Sequence, residues 1–215
     1  MKINIVAGGP LELIPSLELF NGQQSVWVGV DRGVYYLMES GILPERAFGD
    51  FDSVSEEELE MIERKVPQLN KFKPEKDETD MELALNWAIE QEPESITIFG
   101  ATGGRLDHLM ANVQLLVKPV ILQSGIQIEL IDKYNTVYVK EPGSYKVARN
   151  EDLKYISFLP VTPSVSGMTL ENFKYPLKDR HIPLGSTLCI SNELIGDHGT
   201  FSFSEGILLV VRSRD

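Results

Sequence analysis

The string Phe48-Gly49-Asp50-Phe51-Asp52-Ser53 sets two carboxylates two residues apart directly after a glycine. In an extended segment alternate side chains leave one face, which would aim Asp50 and Asp52 together and leave Phe48 and Phe51 to be buried. Two such charges about 4 Å apart repel by about 4 kcal/mol at an effective dielectric of about 20, so the pair calls for a cation between them. Taken alone, the same string also suits a turn or helix start, the commoner use of an isolated Asp-x-Asp. A second constellation, Gly100-Ala101-Thr102-Gly103-Gly104-Arg105-Leu106-Asp107-His108, crowds Thr102, Arg105, Asp107 and His108 onto one glycine-rich turn. Glycines there permit close approach of a ligand backbone or phosphate. An Arg105–Asp107 ion pair that merely pins the turn is the competing reading. Asp77-Glu78-Thr79-Asp80 and Asp31-Arg32-Gly33 add further acids beside candidate helix starts.

These residues need elements to carry them. Ile3, Ile5 and Val6 form a β-branched run broken by Gly8-Gly9-Pro10, and Leu11, Ile14 and Leu17 then recur at helical spacing. Tight packing explains that two-glycine turn better than a phosphate site. Ser25 to Val30 reads as a strand ending in Asp31, followed by a helix through Val34, Leu37 and Met38 that Gly41 stops. Ser55 to Glu58 and Thr79 to Glu82 have capping-box spacing. They open helices with Leu59, Ile62 and Val66 on one face of the first and Met81, Ala84, Leu85 and Ala88 on one face of the second. Ser95 to Phe99 is a strand before the glycine-rich turn, and the helix after it is expected to turn Leu106, Met110, Val113 and Val117 inward. Val120 to Leu122 reads as another parallel strand. From Ile126 the texture changes to short β-rich runs with Pro, Gly, Asn and Asp between them. Glu141-Pro142-Gly143-Ser144 reads as a hairpin turn, and a strand at Thr187 to Ile190 leads into Ser191-Asn192-Glu193. The fold class expected is α/β plus all-β: an N-terminal three-layer α/β domain with a mostly parallel sheet over residues 1–134, and a small C-terminal β-sandwich over 135–215.

Composition narrows the function. The net charge is -12 over 215 residues, and no Lys/Arg cluster exists, which argues against nucleic acid or an anionic membrane as partner. One cysteine, Cys189, excludes an internal disulfide and suits a reducing cytoplasm. The N-terminal apolar run is too short for a signal peptide, and no stretch approaches membrane-spanning length. His108, His181 and His198 are scattered without zinc-ligand spacing, and neither a Walker lysine loop nor a Gly-x-Ser-x-Gly nucleophile is present. Hard carboxylate oxygens at strand ends around a Gly/Arg turn are what a Mg²⁺-triphosphate site uses.

Val30-Asp31-Arg32-Gly33, Gly49 to Ser53, Asp77-x-Thr79-Asp80, Gly103 to His108 and Ser191-Asn192-Glu193 together resemble the thiamine pyrophosphokinase family, in order and over nearly the whole chain. Arg32 stands where that family often has a glycine. The resemblance implies transfer of the pyrophosphoryl group of ATP to the hydroxyl of thiamine, giving thiamine diphosphate and AMP. It implies Mg²⁺ on Asp50, Asp52 and Asp80. ATP and its polyphosphate would be held by Asp31, Arg32, Thr79, Gly103, Gly104, Arg105, Asp107 and His108, with Asp77, Arg105 and Asp107 in catalytic roles. Ser191 and Asn192 would receive thiamine. It further implies a nucleotide-binding catalytic first domain, a thiamine-binding second domain, and a homodimer with active sites at the subunit interface. Trp27 and Trp87 fall inside a strand and a helix, so neither reads as a thiamine platform. A metal-dependent nucleotide or sugar-phosphate hydrolase is the alternative reading of the acidic loops.

Overall fold

The structure, a computed structural model, describes residues 1–51, 55–66, 68–71 and 77–215. The chain divides into two compact units, Met1–Lys133 and Tyr134–Asp215.

The first unit is built on parallel strands: β1 (Lys2–Val6), β2 (Ser25–Val30), β3 (Arg46–Gly49), β4 (Gln68–Lys71), β5 (Ser95–Phe99) and β6 (Gln127–Ile131), in the spatial order β6-β5-β1-β2-β3-β4. The helices are α1 (Gly33–Glu39), α2 (Glu56–Lys65), α3 (Asp80–Glu90), α4 (Leu106–Leu115) and α5 (Lys118–Ile121). Helices α1 and α2 pack together, as do α3 and α4. Right-handed crossovers put the two pairs on opposite faces, because the chain runs outward from β1 to β4 and then returns past β1 to β5. β-Branched runs suit strands covered on both faces, and Ile3, Ile5, Val28, Ile96, Ile98 and Leu130 are wholly buried.

Local chemistry sets the helix ends. Helix α2 opens with a complete capping box on Ser55 and Glu58. Helix α1 closes in a Schellman motif: Ile42 N–H donates to Leu37 O and Gly41 N–H to Met38 O, with Gly41 at φ +72°. Met81, Ala84, Leu85 and Ala88 are the buried face of α3, as their spacing requires.

Several local expectations fail, each for a physical reason. Leu11, Ile14 and Leu17 do not form an α-helix; Pro15 denies an amide, and the segment splits into 3-10 turns at Leu11–Leu13 and Leu17–Phe20. Val120 to Leu122 is not a strand, because Pro119 sits in the first turn of α5, where its fixed φ suits a helix. On α4, Leu106 and Met110 face outward at 69% and 55% exposure, and Asn112 and Leu115 are the buried residues. Phe51 has φ +59°, so the segment is not extended at that residue; the expected alignment of Asp50 with Asp52 involves a residue outside those described.

The second unit contains β7 (Asn135–Lys140), β8 (Gly143–Ala148), β9 (Tyr155–Pro160), β10 (Ser164–Glu171), β11 (Leu177–Pro183), β12 (Asn192–Glu193), β13 (His198–Phe203) and β14 (Leu208–Ser213). Antiparallel pairing gives one layer β12-β9-β14-β7 and a second β11-β10-β13-β8. The two layers form a sandwich around Ile156, Phe158 and Val210 from one and Met168, Leu170 and Phe201 from the other. Residues 141–142 do not close a hairpin, since β7 pairs with β14 while β8 pairs with β13 in the other layer. Thr187 to Ile190 is turn rather than strand; the strand residues there are Asn192 and Glu193.

Phe158 links the layers: its ring lies 4.9 Å from Phe201 and 5.7 Å edge-on to Phe173. Truncation to Ala should leave a cavity that the sandwich cannot close, costing about 3–5 kcal/mol. A fall in the urea midpoint followed by near-ultraviolet circular dichroism checks this; a loss under about 1 kcal/mol would show that the layers do not depend on the ring.

Candidate functional site

In the first unit a cavity of about 990 Å³ opens at the carboxyl ends of β1, β2 and β5. β1 lies between β2 and β5, so this is where the strand order reverses, the usual ligand-binding position in an open parallel sheet. Its walls are the segments Ala7–Pro10, Val30–Arg32, Asp77–Met81 and Gly100–Arg105, with Tyr36, Asp107, His108, Ala111 and Asn112.

Close backbone packing brings these segments together. Gly9 N–H donates to Gly100 O at 2.8 Å, and a Cβ on Gly9 would lie 2.3 Å from that oxygen. A Cβ on Gly33 would lie 1.9 Å from Val6 O, so α1 starts directly against the end of β1. Asp31 has φ +49°, donates its N–H to Phe48 O at 2.9 Å, and lines the cavity. Its Oδ1 would be 2.3 Å from a Cβ on Gly49, so the bare glycine of the Gly49-Asp50 motif is what admits the Asp31 carboxylate.

The structure thus collects Asp31, Arg32, Asp77, Thr79, Asp80, Gly103, Gly104, Arg105, Asp107 and His108 around one space. Asp50 follows β3 and is half-buried, outside the cavity lining; Asp52 lies outside the described residues. Ser191 and Asn192 belong to the second unit. Ser191 is exposed with φ +54°. Asn192 is buried and joined to Tyr175 at both amide ends, its Oδ1 accepting from Tyr175 N–H and its Nδ2 donating to Tyr175 O. Glu193, beside it, receives both Lys174 at 2.8 Å and Lys154 at 3.0 Å, which hold its carboxyl below the ordinary range.

Arg105 and Asp107 form a bidentate pair, Nε to Oδ1 at 3.1 Å and Nη2 to Oδ2 at 2.6 Å, and His108 N–H also donates to Oδ1. The turn is pinned as the simpler reading had it, while Nη1 lies outside that pairing and both residues remain exposed at the cavity rim. The hydrogen bond to Arg105 chiefly holds the Asp107 carboxyl below its ordinary range, and the same bond raises the Arg105 guanidinium. Arg32 reaches Glu58 Oε1 at 3.5 Å.

Of two further polar wall residues, Thr102 belongs to the glycine-rich turn that the sequence marks, whereas Asn112 carries little signal there. Asn112 is buried and donates from Nδ2 to Ala101 O at 3.0 Å, fixing α4 to the loop after β5. Thr102 is buried, and its hydroxyl has no hydrogen-bond partner among the described residues. A buried polar group without a partner costs about 1–3 kcal/mol, which favours a ligand that supplies one. Trp27 is buried and its Nε1 donates to Asn21 Oδ1; Trp87 is half-buried, with the Arg46 guanidinium 4.9 Å over its ring.

Among the described residues no group of three or more His, Cys, Asp or Glu stands close enough to hold a metal ion. Mg²⁺ does not demand one, since it uses one or two protein carboxylates and completes its shell with water and substrate phosphates. Asp80 at the cavity wall and Asp50 after β3 are hard oxygen donors of the right type.

Comparison with known proteins identifies the family. Family models described as "Thiamin pyrophosphokinase, catalytic domain" and "Thiamin pyrophosphokinase, vitamin B1 binding domain" match residues 17–130 and 144–208. A thiamine pyrophosphokinase of Bacillus subtilis is 52% identical over 213 residues, covering 99% of each chain. The crystal structure of thiamine pyrophosphokinase from Bacillus subtilis superposes with a TM-score of 0.94 at 50% identity, covering 100% of both chains. That from Geobacillus thermodenitrificans gives 0.91 at 50% identity, covering 100% of this chain and 98% of that one. The likeness runs through both units, and the chain belongs to the thiamine pyrophosphokinase family.

Proposed function

We infer that this chain transfers the pyrophosphoryl group of ATP to the hydroxyl of thiamine, releasing AMP and thiamine diphosphate. The observation that carries the reading is the convergence of Asp31-Arg32, Asp77–Asp80 and Gly103–His108 on one cavity at the sheet's switch point, in a chain of this family. A hydrolase has no comparable support.

Asp50, Asp52 and Asp80 would hold Mg²⁺, which when bound neutralises polyphosphate charge. Arg105 meets the transferring or leaving phosphate through the guanidinium edge not committed to Asp107, stabilising charge that grows in the transition state. Thr79, Gly103 and Gly104 supply hydroxyl and backbone groups at the rim, with Arg32 and His108 beside them. Asp31 lies close to the base of the polyphosphate path, where the bare Gly49 gives its carboxylate room.

In the second unit Ser191 offers an exposed hydroxyl to thiamine, while Asn192 holds the loop by its two bonds to Tyr175. A homodimer is part of the same proposal, supported by the apolar side chains of Leu106, Met110, Ile121 and Leu122 that α4, α5 and the residue after it leave exposed. Among the described residues no helix is long and apolar enough to cross a membrane, and a cytoplasmic site of action is proposed from the substrates.

The activity assay is direct: ATP, Mg²⁺ and thiamine should yield AMP and thiamine diphosphate in equal amounts. Orthophosphate or ADP as sole product, or turnover without thiamine, would sink the reading. Asp80→Asn should lower kcat/KM by about a hundredfold or more while leaving the circular dichroism spectrum unchanged. Wild-type turnover by that variant at low Mg²⁺ would remove Asp80 from the metal site.

Asp107 and Asp77 are the two proposed proton acceptors. Because Asp107 is held low, its pair with Arg105 is fully formed above the unfolded carboxylate value and is lost only as pH falls through the depressed folded value. The Arg105 Nε–H resonance should therefore stay constant from about pH 8 to about pH 5 and shift only below about pH 4. Movement of that resonance near neutral pH would contradict the assignment. A kcat/KM acid limb above about pH 5 would place the proton acceptor on a group other than Asp107.

A further inference from the structure

Helices α2 and α3 begin with the same signal, a Ser or Thr followed three residues later by Glu. In α2 both halves of the box are made: Glu58 N–H donates to Ser55 Oγ at 3.2 Å, and Ser55 N–H donates to Glu58 Oε2 at 2.7 Å. In α3 only one half is made. Glu82 N–H donates to Thr79 Oγ1 at 3.1 Å, but the Glu82 carboxylate takes the Lys118 ammonium at 2.6 Å instead. Lys118 also donates to Asn86 Oδ1 at 2.8 Å. Asn86 lies one turn further along α3, so an ammonium shared between residues 82 and 86 turns the carboxylate away from Thr79. Arg32, by contrast, meets the other oxygen of Glu58 at 3.5 Å and leaves that box intact.

The consequence falls on the cavity. Among the described residues the Thr79 N–H has no acceptor, and Thr79 stands on the cavity wall between Asp77 and Asp80. The buried hydroxyl of Thr102 on the same cavity, without a partner among the described residues, independently points to a ligand that supplies hydrogen-bonding oxygens.

We propose that Lys118 is a positioning residue for the reaction: by drawing Glu82 out of the capping box it keeps the Thr79 N–H open to an anionic oxygen of the polyphosphate. The assignment of the anion rests on the ATP reading above; the capture of Glu82 does not. An uncapped N–H at a helix start is a ready donor to phosphate, whereas a closed box would fill it with a carboxylate and add a negative charge where the ligand's own must sit. Lys118 and Glu82 are each about three-quarters buried, and the ammonium has two acceptors, so the pair is a fixed strut rather than a solvated surface contact.

Three variants separate this from a simple strut. Lys118→Met keeps the aliphatic stem and frees Glu82 to close the box. It should raise KM for MgATP about tenfold, the worth of one hydrogen bond to a charged group, with kcat within about twofold. Glu82→Ala should leave KM near wild type, since no carboxylate is present to close the box. The double variant Lys118→Met, Glu82→Ala should restore the KM lost in the single lysine variant. Amide exchange at Thr79, read by NMR on the ligand-free chain, should be fast in wild type, slowed in Lys118→Met and fast again in the double variant. Equal damage from Lys118→Met and Glu82→Ala with no rescue would reduce Lys118 to a strut. Unchanged Thr79 exchange in Lys118→Met would overturn the capture of Glu82. Exchange behaving as expected while KM for MgATP does not move would overturn the role toward the polyphosphate alone.

Discussion

The cavity depends first on how closely the backbone segments at the sheet's switch point can approach. Gly9 N–H meets Gly100 O at 2.8 Å, and Gly33 lies where any Cβ would strike Val6 O. Those contacts bring the chain after β1, β2 and β5 to one place, and every catalytic assignment in the first unit hangs from one of these segments or from the start of α3. A side chain at either glycine would force the loops apart by more than a hydrogen bond tolerates. The same economy governs Asp31: its left-handed backbone is held by the bond to Phe48 O, and its carboxylate has room only because residue 49 has no side chain. Packing, rather than phosphate contact, is the demonstrated work of Gly9, Gly33 and Gly49.

On that frame the electrostatics are a matter of exchanged partners. The chain carries a net charge of -12, yet its ligand is proposed to be a polyanion. Arg105 is paired with Asp107, Arg32 approaches Glu58, and Lys118 holds Glu82. Exposed pairs such as Arg105–Asp107 contribute little to stability, so a phosphate can compete for the guanidinium at small cost. The Lys118–Glu82 pair is more buried and has a third member in Asn86, which suits a pair whose task is to persist while the ligand comes and goes.

Much of this was legible in the sequence because the signals were local. β-Branched runs marked β1, β2 and β5, Gly41 marked the end of α1, and the apolar spacing of α3 named its buried face. The motif residues from Asp31 to His108 that meet at the cavity were also legible, since strand-end acids and a Gly/Arg turn have few other joint uses. What was not legible depended on partners distant in sequence. The box on Thr79 opens because of Lys118, and α4 turns Leu106 outward because Asn112 seeks Ala101 O. β10 and β13 interleave their buried residues with Ser, Gly and Thr, and β11 buries only Ile182, so their apolar content is too thin to read as strands until the opposite layer is present.

The Ser191-Asn192-Glu193 string shows how a motif divides its labour. Asn192 spends its amide on Tyr175, and Glu193 is clamped by Lys154 and Lys174, so both act on the protein itself. Ser191 between them and the preceding turn is left-handed, a backbone state that costs a non-glycine residue roughly 1 kcal/mol. Its N–H donates to Ser157 Oγ, which fixes that conformation from the neighbouring strand. The strain is held by groups that make no use of the Ser191 hydroxyl, and the result is an exposed donor at a fixed position. A loop that needed only to turn would be cheaper with glycine at residue 191; the exposed hydroxyl held there is the ground on which the contact with thiamine is proposed for Ser191, and the two bonds to Tyr175 are the ground on which Asn192 is proposed to hold the loop.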